Sequence, residues 1–461
     1  MKVLVIGAGP GGYVAALRAA RLGAEVMVVE SDEVGGTCLN WGCIPTKALL
    51  ASADLFARMK RCEDYGLELS GDIRARLDRM MARKDKIVAI QAKGIRSLFK
   101  SSGISLVEGR ARLISPREVE VSVSGGERRQ MEGDALIVAT GSRPAAVPGL
   151  PYDGNRVISS NEALHLKEVP ARLIIIGAGV IGCEFAFIFR ELGCEVTLVE
   201  AMTRAVSTED HEISEILERE LKKKKIRLLK GTKTTGLDVA ENVVTVSLEA
   251  GDGLEAEQVL VSVGRAPNTE GLGLEAVGVR LGGRGEVAVD DRLRTNVDSV
   301  YAVGDVTGGM MLAHVASKQG MVAVENIMGR ETRMNYDVVP AAIFTHPEIG
   351  SVGLREHQCV ERQMDTRIGR FPFRGLGKAH AMGEIAGMVK VIADAATDRI
   401  LGVHIIGPHA SDLVHEAALA MEKGLTARDV AEMIHAHPTL AEGLMEACED
   451  VHDQAIHLPK K

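Results

Sequence analysis

Two cysteines, Cys38 and Cys43, stand five positions apart in the run Gly35-Gly36-Thr37-Cys38-Leu39-Asn40-Trp41-Gly42-Cys43-Ile44-Pro45-Thr46-Lys47. Proline is tolerated in the first turn of a helix, so Cys43-Ile44-Pro45 followed by Thr46-Lys47-Ala48-Leu49-Leu50 reads as a helix start. A helix N-terminus stabilises a thiolate, which lowers a cysteine's pKa and makes it reactive. Two such thiols this close can pair as an exchangeable disulfide. They can equally be two buried structural cysteines or half of a metal site, and the run alone leaves these readings open. Lys47 falls one helical turn beyond Cys43, so both can face one ligand, and a cation there favours a thiolate.

Further chemistry is carried by glycines. The apolar run Val3–Ile6 has the character of a strand buried on both faces. It is followed by Gly7-Ala8-Gly9-Pro10-Gly11-Gly12, a helical pattern to Leu22-Gly23, and a second strand, Val26–Val29, ending at Glu30. This is the dinucleotide-binding unit in its required context. Gly7 permits the tight turn, Gly9 lets a pyrophosphate approach the backbone, and Gly12 lets the helix pack closely. The helix N-terminus faces the phosphates, and Glu30 can accept from a ribose hydroxyl. Every element recurs 170 positions later: strand Leu173–Ile176, turn glycines Gly177, Gly179 and Gly182, and strand Val196–Val199 ending at Glu200. Two complete units imply two dinucleotides on one chain, most simply in a redox enzyme that passes electrons between them. Glu200 favours NAD, because its charge repels a 2′-phosphate; Arg204 nearby works against that. Glu184, an acid beside the second turn in an apolar run, needs a partner.

The elements that position these residues follow from the rest of the chain. A length of 461 residues suits two to four domains, and abundant glycine (50) with few aromatics fits α/β domains with tight strand-to-helix turns. A net charge of -8 argues against nucleic acid or an anionic membrane as partner. The basic run Lys222–Lys225 ends an amphipathic pattern (Ile213, Ile216, Leu217, Leu221), where lysines suit the helix dipole. Seven cysteines, five of them scattered, do not make a secreted disulfide framework, so a reducing cytoplasm is expected. Met1-Lys2 leads straight into the first strand, leaving no room for a signal peptide. The longest apolar run, Leu173–Phe189, is too short for a membrane span and reads as strand plus helix. A long amphipathic helix is expected from about Ile73 to Phe99, short strands over Leu106–Leu113 and Val119–Val123, and a buried strand over Ala135–Val138. Pro144, Pro148 and Pro151 suggest a linker. Strands are further expected at Val259–Val263, Val300–Val303, Gly387–Ile392 and Arg399–Ile406, then helices rich in alanine and leucine.

Taken in order, the first glycine unit, the two-cysteine run, Ala139-Thr140-Gly141, the second unit, Tyr301-Ala302-Val303-Gly304-Asp305 and His435-Ala436-His437-Pro438-Thr439-Leu440-Ala441-Glu442 resemble the flavin-dependent pyridine nucleotide-disulfide oxidoreductases. The likeness runs the whole length and is nearest to those members that oxidise protein-bound dihydrolipoamide. It implies two Rossmann-like dinucleotide-binding domains and a C-terminal α+β dimerisation domain, with FAD bound by 1–146 and 270–336, NAD by 147–269, and dimerisation by 337–461. The resemblance puts FAD on the first glycine unit, with Glu30 on its ribose. Lys47 would lie near the flavin ring, Ala111 near the adenine, Asp305 on the ribityl chain, and Ala313 in the segment that follows. Gly36, Thr37, Thr140, Gly141 and Gly264 join the cofactor contacts. The second unit would hold NAD, with Glu184 paired to Lys47 where nicotinamide meets flavin. Cys43 would be the thiol next to flavin and Cys38 the one that exchanges with substrate.

His437 is the candidate acid/base, since imidazole titrates near neutrality, and Glu442 can fix its tautomer. The resemblance supplies this histidine across a homodimer interface; His435 matches the same pattern but is assigned no catalytic role, and His314 and His404 read as structural. The implied partner is a lipoylated protein of a 2-oxoacid dehydrogenase or glycine cleavage complex, with no resident metal, nucleic acid or membrane. A nucleotide-binding structural subunit and a zinc site on Cys38 and Cys43 are the competing readings.

Overall fold

A computed structural model describes residues 1–123 and 125–460; Lys461, the last residue of the third expected unit, lies outside the described residues. The first glycine unit folds as strand Lys2–Ile6, helix Pro10–Arg21 and strand Glu25–Glu30. These strands lie in a seven-stranded sheet of order 300–302, 135–138, 2–6, 25–30, 105–115, 118–123, 128–132. The pairs from 300–302 through 105–108 are parallel, after which 109–115 turns into an antiparallel meander. Strand Val300–Ala302 therefore returns to the sheet from beyond the second unit, pairing Tyr301 with Ile137.

The second unit repeats the design with strand Arg172–Ile176, helix Val180–Glu191 and strand Glu195–Glu200. Its five strands run parallel in the order 227–230, 195–200, 172–176, 258–261, 157–158. In both sheets the first strand of the unit is central, with successive strands added on either side of it. The end of that strand is the switch point where such sheets bind ligands. The reason for glycine at the turn is the same in both. Gly7 and Gly177 each have φ near +102°, and a Cβ on either would press into the carbonyl of the neighbouring strand's exit, Ala139 or Ser262. A Cβ on Gly12 or Gly182 would strike the carbonyl oxygen of Gly7 or Gly177.

The proline segment is not a free linker. Ser142–Pro144 pairs antiparallel with Arg265–Pro267, making a two-stranded ribbon between the two sheets. The long helix runs over Leu77–Ser101, starting later than its periodicity suggested. The apolar run Leu173–Phe189 is the central strand and helix of the second unit, and among the described residues no helix is long and apolar enough to cross a membrane. Helix His211–Lys223 buries Ile213, Ile216, Leu217 and Leu221 and ends on its lysines, as the pattern requires.

The last third is an antiparallel sheet of order 341–343, 348–353, 400–407, 388–394, 366–372, packed by helices Ala410–Glu422 and Glu442–Asp450. Three of its strands (341–343, 348–353, 366–372) carry no clear alternation. A buried ion cluster ties this sheet to the second unit. Lys390 Nζ, fully buried, lies 2.9 Å from Asp210, 2.7 Å from Glu212 and 2.5 Å from Glu356.

Candidate functional site

A cavity of about 2360 Å³ runs between the units. It is bordered by Gly7, Gly9, Glu30, Gly36, Thr37, Cys38, Cys43 and Lys47, and further along by Ala111, Thr140, Gly141, Glu184, Asp305 and Ala313. Residues scattered over most of the sequence are thus brought to one surface. Gly12 stands behind it as a packing residue. Of the second unit, Val180, Ile181, Glu184 and Phe185 reach the cavity, whereas Gly177, Gly179, Gly182, Glu200 and Gly264 do not border it.

The helix carrying the second cysteine runs Cys43–Met59, with Pro45 in its first turn, and Cys38 sits in the short helix Gly36–Asn40. Both cysteines are free thiols, and their sulfurs share a hydrogen bond. That bond, before any other influence, pulls Cys43 down to about 7. Burial opposes the lowering and the Lys47 charge assists it. The same bond, followed by burial, pushes Cys38 far up. Cys43 is therefore the more acidic thiol of the pair and Cys38 the proton donor. The main cause is the neighbouring thiol; the helix start sets where Cys43 stands.

Lys47 Nζ lies 2.8 Å from both carboxylate oxygens of Glu184, which is only 3% exposed. Glu184 also accepts from the Phe344 N–H at 3.0 Å, and the ammonium sits 4.6 Å from the centre of the Phe344 ring. The buried acid thus has its partner, as a charge in an apolar helix must.

Both ribose-type glutamates end their strands in the same way. Glu30 accepts from the N–H groups of Ala8 at 2.6 Å and Asp32 at 2.9 Å. Glu200 accepts from Ala178 and Met202, each at 2.7 Å. Each carboxylate oxygen keeps a second lone pair for a ligand hydroxyl. Helices Pro10–Arg21 and Val180–Glu191 begin at Gly9 and Gly179 with no side chain capping them. Their first N–H groups are left for an anion, the condition for holding a pyrophosphate. A Cβ on Gly179 would meet nothing within 4 Å, and Gly36 packs so close to Gly9 that a Cβ there would come within 2.6 Å of the Gly9 Cα. The first turn, the cavity and Asp305 fit FAD; the open second turn and Glu200 fit a nicotinamide dinucleotide.

Several residues of the site escaped sequence reasoning. Arg265 donates to Ser142 Oγ and to the Ser142 carbonyl, each at 2.7 Å, and lies 3.9 Å from Asp305. Ser142 Oγ in turn donates to Asp305 Oδ2. This network holds the acid at the cavity wall, and burial pushes the Arg265 guanidinium's proton affinity down. An arginine directly after a strand glycine was the available signal. Trp41, the chain's single tryptophan, packs against His165 with ring centres 5.6 Å apart, and both border the cavity. His314, expected as structural, also borders it and bonds the Pro340 carbonyl at 2.7 Å. His404 is buried and structural, as expected.

His437 Nδ1 lies 2.9 Å from Glu442 Oε1, and Glu442 Oε2 accepts from the Thr439 N–H at 2.8 Å. Against burial, the Thr439 N–H and His437 hold the Glu442 carboxyl below its ordinary value. The His437 side chain is 76% exposed and does not border its own chain's cavity. The His435 side chain is covered and bonded to Glu416 at 2.9 Å, which raises its proton affinity. Among the described residues no group of three or more histidines, cysteines or carboxylates is placed to hold a metal ion.

The sequence signature described as Pyridine nucleotide-disulphide oxidoreductase matches residues 1–320, and that of its dimerisation domain matches residues 339–448. The chain is 42% identical over 463 residues to Dihydrolipoyl dehydrogenase 1, mitochondrial, of Arabidopsis thaliana, covering 99% of this chain and 91% of that one. It is 42% identical over 462 residues to Dihydrolipoyl dehydrogenase of Thermus scotoductus, covering 99% and 98%. A Leghemoglobin reductase of Glycine max is 41% identical over 98% of this chain and 88% of its own. The crystal structure of LpdA from Mycobacterium tuberculosis superimposes with a TM-score of 0.92 at 30% identity, over 97% of this chain and 99% of that chain.

Proposed function

Because this chain belongs to the pyridine nucleotide-disulphide oxidoreductases, we propose that it oxidises protein-bound dihydrolipoamide to lipoamide, with FAD as resident cofactor and NAD+ as hydride acceptor. One observation carries the reading: Cys38, Cys43 and the Lys47–Glu184 ion pair border the same cavity as a glycine turn built for a dinucleotide. The dihydrolipoyl dehydrogenases among its relatives, matched over nearly their full length, supply the substrate class. FAD, when bound, supplies a two-electron carrier between the thiols and NAD+.

The work of the chain's own residues follows from their chemistry. In the oxidised enzyme Cys38 and Cys43 form a disulfide. His437 of the partner subunit, oriented by Glu442, takes the proton from one substrate thiol. The substrate sulfur bonds to Cys38 Sγ, the Cys38–Cys43 bond breaks, and Cys43 leaves with the electron pair as a thiolate. The second substrate thiol then gives up its proton and bonds to the first substrate sulfur. Cyclic lipoamide departs and Cys38 takes up a proton to become the thiol. Lys47, held by Glu184, keeps a positive charge beside the Cys43 thiolate. Supply of His437 in trans is supported by its exposure and its absence from its own cavity. Residues 337–461 then form the dimerisation domain, 1–146 with 270–336 bind FAD, and 147–269 bind NAD. The partner is a lipoylated protein of a 2-oxoacid dehydrogenase or glycine cleavage complex, met in the cytoplasm.

The test is NADH-linked turnover of the flavin-loaded protein on lipoamide, glutathione disulfide and mercuric ion in parallel. Lipoamide should be the preferred acceptor by a wide margin. Inactivity on lipoamide refutes the proposal.

A further inference from the structure

Arg204 stands four residues beyond Glu200, in the loop that leaves the second strand of the nucleotide unit. An arginine in that loop is the usual means by which such units accommodate the 2′-phosphate of NADP. The loop is in place for that task, because the Val206 N–H donates to the Ala178 carbonyl inside the glycine turn at 2.8 Å. The side chain is not used that way. Arg204 Nη1 lies 2.5 Å from His211 Nε2, and Nη2 donates to the Ser207 carbonyl at 2.8 Å. Its Nε is buried with no partner. Both arms of the guanidinium fork are therefore engaged by acceptors of the chain itself.

His211, though exposed, is placed by its neighbours in the fold. It is the first residue of helix His211–Lys223, whose cap is Asp210, a member of the buried Lys390 cluster. Its ring stacks on that of His357 from the C-terminal third, with centres 4.6 Å apart and planes 19° apart. A guanidinium can only donate, so His211 Nε2 is the acceptor in this pair. Burial, then the adjoining His211 and Arg204, lower the proton affinity of His357.

We propose that His211 is a specificity-determining residue: by accepting from Arg204 it holds the guanidinium away from the ribose edge, so that Glu200 alone faces the 2′ position and NADP is excluded. This rests on the reading of the second unit as an NAD site. Discrimination then has two parts, repulsion by Glu200 and sequestration of the one arginine that could offset it. A charge-assisted hydrogen bond contributes roughly ten- to hundredfold in affinity, so releasing Arg204 should recover part of the lost NADP affinity even with Glu200 intact.

The experiment is calorimetric binding of NAD+ and NADP+ to the flavin-loaded protein, with no lipoamide present. In His211→Leu the ratio of NADP+ to NAD+ affinity should rise by about tenfold. His211→Gln, which keeps an acceptor, should stay near the wild-type ratio, and His211→Leu with Arg204→Ala should return to it. An unchanged ratio in His211→Leu overturns the proposal. So does a loss of NADP+ affinity in Arg204→Ala alone, which would mean that the arginine already meets the 2′-phosphate. A wild-type protein that prefers NADP+ instead refutes the underlying NAD reading, whatever the variants do.

Discussion

Replacing Cys38 with alanine removes the S–H that donates to the Cys43 sulfur while leaving Lys47 in place. Cys43 stands at about 7 against an ordinary 9.0. That difference is worth about 3 kcal/mol in favour of the thiolate. The Cys38 hydrogen bond is the largest contribution, with burial opposing it and Lys47 assisting. With the bond gone, burial and the lysine work against each other, and the Cys43 midpoint should move back to roughly 9 or above. At pH 7 the thiolate fraction then drops from about one half to about one in a hundred. A more basic thiolate is also more nucleophilic, by about eightfold over that span, so the alkylation rate at pH 7 falls only about sixfold. The midpoint is the sharper measure. The assay is the rate of iodoacetamide alkylation of the reduced protein from about pH 5 to about pH 10, with the label located by mass spectrometry. Wild type should label Cys43 with a midpoint near 7, and Lys47→Met should shift it upward by less than Cys38→Ala does. A Cys38→Ala midpoint that stays near the wild-type value, or wild-type label on Cys38 instead, refutes the reasoning.

His437→Gln should lower lipoamide turnover by roughly 10²–10⁴-fold. Mixing that variant with Cys38→Ser should restore roughly a quarter of wild-type activity, since half the dimers are mixed and each has one intact site; no recovery would mean that His437 serves its own chain. His404 is held down to about 4, by burial first, then by Arg355 and Lys390 against the Leu354 carbonyl and Asp210. Its folded value is below the unfolded one near 6.5, so its contribution is complete above pH 6.5 and fades as pH falls toward 4. Acid unfolding monitored in urea should show up to about 3 kcal/mol of that loss in wild type, and a flatter profile in His404→Gln. Gly179→Val should leave the melting temperature nearly unchanged, because its side chain points into open space, while NAD+ binding measured by calorimetry should collapse as the valine occupies the pyrophosphate's approach.

Much of this molecule was legible in neighbouring residues. Both glycine units could be read because a turn with φ near +102° and a helix packed on its own strand exclude any side chain, whatever lies elsewhere. The helix start at Cys43 and the buried face of His211–Lys223 are likewise local, set by proline's backbone and by period. The antiparallel sheet of the last third was only half visible. Strands 341–343, 348–353 and 366–372 lack clear alternation, and they are defined by their partners in the sheet.

What only the tertiary structure decided is where long side chains turn and which charges meet. From the residues alone Glu184 needed some partner; its identity, Lys47, came from resemblance, and the 2.8 Å bonds span 137 positions. Arg265 became part of the site only when the ribbon with Ser142–Pro144 brought it to Asp305. Arg204 read as a residue that weakened the case for NAD until its fork was seen engaged by His211 and Ser207. The physical reason is common to all three. Local backbone preference is a property of a few adjacent residues, whereas a charged side chain is oriented by whichever partner the folded chain brings within reach.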